Sequence, residues 1–326
     1  MAASPMMPLR AVVVGAGLMG RFHTAAVAAA GGAIAAVVDP DLARARALAD
    51  GARVATSITE LDDRADVVHV CTPADTHVEI VKAALGAGAH VVVEKPAAPD
   101  AAATALLLDA AGRHGSMLVP VHQFVFQRGF QRLVRERDRF GTIVRLEFEA
   151  ATAGAEAGAI EPDELVADIL PHPLALFGRL VDAELSELDW LVRRPAPGEL
   201  RALAESNGTT LEIAVSTRGR PTRARLGVTG TSASAEADLY HGFAVFEAGE
   251  VSRARKAARP FARSATTLAA AGGNLVRRAL ARETAYPGLR ELVERTYEAI
   301  ETRGPPPIGA EETLAVALAR DRLLGR

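Results

Sequence analysis

A chain of 326 residues with 49% hydrophobic and 24% charged residues holds enough apolar material for more than one core, so two domains are expected. A net charge of -3 and a pI near 6.3 argue against nucleic acid as a partner, and the single cysteine, Cys71, excludes an internal disulfide framework and a cysteine-built metal site. The aromatic share is 4%, which leaves Ala, Val and Leu to fill the core. Residues 1 to 8 lack the basic and apolar regions of a signal peptide, and no apolar run reaches the length of a membrane span. A cytoplasmic location without a metal cofactor is the expectation.

The first 120 residues alternate short β-branched runs with Ala- and Leu-rich helical patterns. Ala11 to Val14, Ala33 to Val38, Asp66 to Cys71, His90 to Val93 and Met117 to Val121 read as parallel strands buried on both faces. Residues 18 to 30, 41 to 50, 75 to 87 and 99 to 114 read as the helices between them. Right-handed crossovers then give an α/β Rossmann domain, a doubly wound parallel sheet over residues 1–122.

The first strand runs into Gly15-Ala16-Gly17-Leu18-Met19-Gly20, a G-x-G-x-x-G run that opens a helix, with Asp39 nineteen residues beyond Gly20. Gly15 suits a tight turn, Gly17 the close approach of a pyrophosphate, and Gly20 close packing of helix on strand. The pyrophosphate would rest on backbone N–H groups at the helix start, beside Leu18 and Met19. A carboxylate at Asp39 accepts hydrogen bonds from ribose hydroxyls and repels a 2′-phosphate, which favours NAD over NADP. The next strand ends in Thr72-Pro73, followed by His77, and His90 to Val93 ends in Glu94-Lys95-Pro96. His69 and His90, inside apolar strands, read as hydrogen-bonded core histidines, and Cys71 as a small buried hydrophobe.

Past residue 121 the pattern changes. A helix around 127 to 138 leads to a strand from Thr142 to Ala151, and Glu161-Pro162-Asp163-Glu164 reads as a helix start. Strands are expected near 185 to 193, 209 to 216, 222 to 229, 233 to 239 and 243 to 247, with turns at Asn207-Gly208 and Arg218-Gly219. The implied second domain, 123–326, is α+β with an open, mostly antiparallel sheet and C-terminal helices over 262–326.

Thr72-Pro73, His77 and the run Gly88 to Pro96, together with the glycine motif, resemble the glucose-fructose oxidoreductase, inositol dehydrogenase and MocA family of nicotinamide-dependent oxidoreductases. The resemblance implies a Rossmann domain followed by an open sheet that forms a homo-oligomer interface, in a dimer or tetramer. It places Thr72, Pro73, His77, Glu94, Lys95 and Pro96 at the cofactor, with Lys95 beside the nicotinamide and Pro96 after a cis peptide. Lysine suits hydride chemistry at an alcohol carbon because a partly desolvated ammonium supplies both a donor at the oxygen and a proton path. Glu94 would orient Lys95 or balance its charge.

The resemblance also implies a helix carrying an Asp and, four residues later, a His that acts as acid or base. Asp168 and His172 have that spacing, which puts both on one helical face. His172 is the expected proton-transfer residue, and Asp168 its orienting partner or a ligand to a substrate hydroxyl. This chain departs from the family pattern at Leu170 and Ala175, and Pro171 and Pro173 flank the histidine. Proline disfavours the α region at Leu170, so the shared face can fail locally. After residue 121, where relatives carry an arginine and an aromatic, stand Val125 and Phe126, with Arg128 at the position of their proline. His122 is a candidate substrate contact.

Residues 251–282 contain Arg253, Arg255, Lys256, Arg259, Arg263, Arg277, Arg278 and Arg282 and no acid. This segment reads as a solvated face balanced by acids elsewhere, a site for a phosphorylated substrate or acidic carrier, or a peripheral membrane contact. The expected function is an NAD-dependent oxidoreductase that interconverts alcohol and ketone on a sugar, cyclitol or related metabolite. An imine or double-bond reductase and a dinucleotide-binding sensor without turnover are the alternatives.

Overall fold

A computed structural model describes residues 7–61, 64–152, 160–249, 253–283 and 285–326. They form two compact units. One runs to Val121 and includes Leu289–Ala317; the other comprises His122–Gly288 and Leu318–Arg326.

The first unit is built on six parallel strands, β1 (Arg10–Val14), β2 (Ala33–Val38), β3 (Arg53–Ala55), β4 (Val67–Val70), β5 (His90–Val93) and β6 (Leu118–Pro120). Their order is β3-β2-β1-β4-β5-β6, so the winding reverses between β1 and β4, and crevices at such a reversal are where ligands bind in open α/β sheets. The strands are rich in valine and bury both faces, which requires helices on either side. Those helices are α1 (Leu18–Ala29), α2 (Leu42–Ala49), α3 (His77–Gly86) and α4 (Ala101–His114). Asp41 caps α2 by accepting from the Ala43 amide at 2.9 Å, and Asp100 caps α4 through the Ala103 amide at 2.7 Å.

The second unit carries α5 (Arg128–Arg135), β7 (Ile143–Ala151), α6 (Pro162–Ile169) and α7 (Pro171–Gly178). They are followed by β8 (Leu191–Arg193), β9 (Glu199–Ser206), β10 (Thr209–Ser216), β11 (Arg223–Gly230), β12 (Ala233–Asp238), β13 (Phe243–Ala248) and the long helix α8 (Arg253–Leu280). The sheet order is β13-β12-β11-β7-β10-β9-β8, and among its pairs β7 with β10 is parallel while the rest are antiparallel. The α/β plus α+β class expected from the pattern is the observed one.

Several expected elements differ in extent. The short β3 and the eight-residue β9 are additions; in β9 the inward positions Ala202 and Ala204 are too small to mark a strand by hydrophobic alternation. Asn207 and Gly208, both at positive φ, close its turn into β10. The strand expected near 185 to 193 shrinks to Leu191–Arg193, because Trp190 turns back to donate its indole N–H to the Leu185 carbonyl at 2.8 Å. The helix expected around 127 to 138 ends at Arg135 and is followed by a single 3-10 turn, Arg137–Phe140. The helical C-terminal segment begins at Arg253 and does not belong wholly to the second unit. Its helix α9 (Leu289–Thr302) packs on α1 through the buried stripe Leu289, Leu292, Val293, Thr296 and Tyr297, and the last helix, α10 (Ala310–Leu324), is divided between the units.

Candidate functional site

The glycine loop sits at the carboxyl end of β1. Gly15 has φ +98°, and a Cβ there would meet the Cys71 carbonyl at 2.7 Å; a Cβ on Gly20 would overlap the Gly15 carbonyl oxygen. Gly17 faces open space and caps α1 without a side chain, and no acid lies in the first turn. The first N–H groups of α1 are therefore left for a ligand, and the positive end of the helix dipole favours an anionic one. Leu18 is exposed and Met19 half-buried at this helix start. Asp39, just after β2, accepts from the Ala16 amide at 2.8 Å and from the Asp41 amide at 2.8 Å. Its carboxylate thus holds the loop in shape, while its remaining lone pairs are available to ribose hydroxyls. Loop, uncapped helix and carboxylate together fit a dinucleotide.

At the ends of β4 and β5, Thr72 is half-buried and Pro73 exposed. His77 is buried and faces the Pro96 carbonyl through Nδ1 and the Thr72 carbonyl through Nε2, both at 2.9 Å. It braces the two loops against each other. The Lys95–Pro96 peptide is cis, and Lys95 is half-buried. Glu94 is buried beside it and bonds His23 Nε2 at 3.1 Å. Burial opposes ionisation of the Glu94 carboxyl, but the His23 hydrogen bond and the charges of His23 and Lys95 outweigh it and lower the pKa. Desolvation and then the Glu94 charge push the Cys71 thiol up, which removes it as a nucleophile. His90 accepts from the Met117 amide at 3.0 Å, and burial lowers its pKa.

In the second unit Asp168 lies in the last turn of α6 and His172 in the first turn of α7. Leu170 joins them with φ -54° and ψ -34°, inside the α region that a following proline disfavours. The Ala167 carbonyl, which loses its helical donor to Pro171, accepts instead from Arg320 Nε at 3.0 Å. His172 is buried, and its ring stacks on Phe124 at 4.3 Å between centroids with 26° between planes. Phe124, in the segment where relatives have an arginine, is thus the aromatic floor under the histidine. His122 is buried at the start of the 3-10 turn Gln123–Phe126.

Residues 9–122 match the model of the Gfo/Idh/MocA oxidoreductase family, NAD-binding Rossmann fold. This domain belongs to that family. It binds NAD. No curated protein matches by sequence. Solved structures share the fold over the whole chain. UDP-N-acetylglucosamine 3-dehydrogenase GnnA from Acidithiobacillus ferrooxidans is 22% identical, with a TM-score of 0.76 over 98% of each chain. GenD2 from gentamicin A biosynthesis, solved with NAD, is 22% identical with a TM-score of 0.72 over 100% of this chain and 95% of the other. The WlbA dehydrogenase from Bordetella pertussis, solved with NADH and UDP-GlcNAcA, is 18% identical with a TM-score of 0.72 over 99% and 98%.

Beyond the family's motifs, the structure adds residues that sequence reasoning passed over. His23 was signalled by spacing alone, since Gly20, His23 and Val27 recur on the sheet-facing side of α1. Phe124 and Arg320 carried no signal, because their partners are distant in sequence. Several charges of the basic segment are paired within the second unit. Arg259 pairs with Glu247 at 2.6 Å, Arg263 with Glu236 at 3.0 Å and Glu247 at 3.2 Å, Arg277 donates to Asn274, and Arg278 to the His241 carbonyl. These contacts favour the face balanced by acids. Val251 and the side chains of Arg253 and Arg255 lie outside the described residues. No helix among the described residues is long and apolar enough to cross a membrane.

Proposed function

We propose that the protein is an NAD-dependent dehydrogenase acting on a hydroxyl-bearing carbon of a sugar or nucleotide-linked sugar, with Lys95 and His172 in proton transfer. The observation that carries this reading is Lys95 at the carboxyl edge of the NAD-binding sheet, beside a buried Glu94 that bonds His23 Nε2 at 3.1 Å. The names of GnnA and WlbA as sugar-nucleotide dehydrogenases support the substrate class.

Gly15 to Gly20 would hold the dinucleotide phosphates on the α1 amides, and Asp39 its ribose. Bound NAD supplies a hydride acceptor. The chain's residues handle the hydroxyl proton: Lys95 donates to or accepts from the alcohol oxygen, and His172 is the second acid or base, its ring plane held by Phe124. Asp168 orients His172 or receives a substrate hydroxyl, and His122 contributes a substrate contact. The outer face of the second sheet, where Arg225 and Arg223 both meet Glu149 and Arg145 meets Glu147, is the surface we assign to self-association.

The reading is tested by following reduced nicotinamide with UDP-linked N-acetylhexosamines, free sugars and cyclitols, in NAD and in NADP. Turnover with a sugar or nucleotide-linked sugar that Lys95→Ala abolishes supports it. Turnover untouched by Lys95→Ala rejects the lysine's role. Reduction of imines or enones, with no alcohol oxidised, replaces the alcohol reading with a reductase.

A further inference from the structure

Behind the Glu94-Lys95-Pro96 turn runs a line of four buried polar side chains. Glu94 bonds His23 Nε2 at 3.1 Å, His23 Nδ1 meets His69 Nδ1 at 2.9 Å, and His69 Nε2 meets the Tyr297 hydroxyl at 2.9 Å. Glu94 is 8% exposed, Tyr297 2%, and the two histidines not at all. Such a line is stable among valines only if every link carries a hydrogen bond.

The middle link restricts the protons. Two ring nitrogens of the same kind face each other, so one proton lies between them, and its side sets the direction of the whole line. If His69 donates, His23 Nδ1 is bare, His23 Nε2 carries hydrogen, and Glu94 must accept as a carboxylate. His69 Nε2 is then bare and accepts from Tyr297. If a neutral His23 donates instead, its Nε2 is bare and Glu94 must carry a proton to bond it; only an imidazolium His23 could donate to both His69 and a Glu94 carboxylate. The Tyr297 hydroxyl, which enters from 228 residues away, is able to donate to a bare His69 Nε2 and so matches the first arrangement. Burial keeps His69 neutral, while Glu94 favours the ionised form. Other titratable groups act from the edges: Asp66 on Tyr297, Cys71 on the side of Glu94, and Lys95 itself.

We propose that Tyr297, His69 and His23 are positioning residues that hold Glu94 as a carboxylate facing Lys95 and so fix the charge beside that lysine. The proposal rests on the assignment of Lys95 to proton transfer for its functional meaning. The line is a holder, not a conductor: passing a proton along it would reverse both ring tautomers, and resetting them would mean rotating two rings that are wholly buried.

The experiment uses the full-length protein without added cofactor. Infrared difference spectra near neutral pH report a buried protonated carboxyl. The wild type is expected to lack that band, Tyr297→Phe to gain it, and Tyr297→Phe with Glu94→Gln to lose it again. The chain has three lysines, Lys82, Lys95 and Lys256, so acetylation by acetic anhydride can be read site by site. Lys95 is expected to react about tenfold faster in Tyr297→Phe, as for loss of one adjacent charge, with Lys82 and Lys256 unchanged. Glu94→Gln should show the same increase and the double variant no more. An equal increase from Tyr297→Phe in the Glu94→Gln background, or none in a folded Tyr297→Phe protein, overturns the proposal. Ring ¹⁵N spectra of the wild type need no variant: hydrogen on His69 Nδ1 and on His23 Nε2 alone supports it, and hydrogen on His23 Nδ1, whether in the reverse tautomer or in an imidazolium, overturns it. Failure of Lys95→Ala to reduce turnover would remove the catalytic meaning while leaving these readouts intact, so the two failures are distinguishable.

Discussion

In the first unit the carboxylate of Glu94 is held by hydrogen bonds that continue to Tyr297, whereas in the second the imidazole of His172 lies against the flat face of Phe124 at 4.3 Å. A continuous line of hydrogen bonds fixes protonation states, because changing one group reverses donor and acceptor along the line. A ring stack fixes the plane of the ring. Under the proposed reading the first unit holds a charge beside Lys95, and the second holds the plane of the His172 ring.

The largest expected break in that comparison is Lys95→Ala, which should lower kcat by about a thousandfold while NAD binding, followed by fluorescence quenching, is retained. On the other side, His172→Asn should lower kcat by about a hundredfold, and Phe124→Leu by about fivefold through loss of the stack. A Phe124→Leu effect as large as that of His172→Asn would mean that the stack does more than hold a plane. Gly20→Ala should cost about 2 kcal/mol in urea unfolding and weaken NAD binding in calorimetry, since its Cβ would overlap the Gly15 carbonyl. Arg320→Met should cost about 1 to 2 kcal/mol by leaving the Ala167 carbonyl without its donor, read as a lower Tm.

The smallest effect is a pH slope. Burial lowers the His69 pKa well below 6.5, so below that pH the unfolded chain binds a proton that the folded protein refuses. Stability therefore falls as pH falls through 6.5, by at most about 1.4 kcal/mol per pH unit for this group. Comparing urea midpoints at neutral and mildly acidic pH in wild type and His69→Asn checks it; an unchanged slope would show that His69 is not the source. His90, whose pKa is also lowered by burial, accounts for a slope that remains.

The first unit was legible in sequence where local pattern carries the information. Valine runs marked five of its six strands, and the glycine spacing marked the loop that the structure places at the end of β1. Only the three-residue β3 escaped, being too short to show a period. In the second unit Ala202 and Ala204 hid β9, and Leu170 adopts the α region against the preference of a residue before proline; the donor that satisfies the Ala167 carbonyl there, Arg320, lies 153 residues away. The division of the C-terminal helices was hidden as well: α9 has an ordinary amphipathic stripe, and a stripe does not name the surface it covers.

By itself the sequence determined the α/β class, the dinucleotide motif from Gly15 to Gly20 with Asp39, and the turn that presents Lys95, all of them consequences of residues within a few turns of one another. Tertiary structure alone decided that His23, His69 and Tyr297 stand in line behind Glu94, that Phe124 lies under His172, and that most of the described basic side chains in 256–282 face the unit's own acids and carbonyls. The physical reason is that hydrogen bonds and ring contacts between distant segments depend on register and helix placement, which the pattern of hydrophobic residues leaves open.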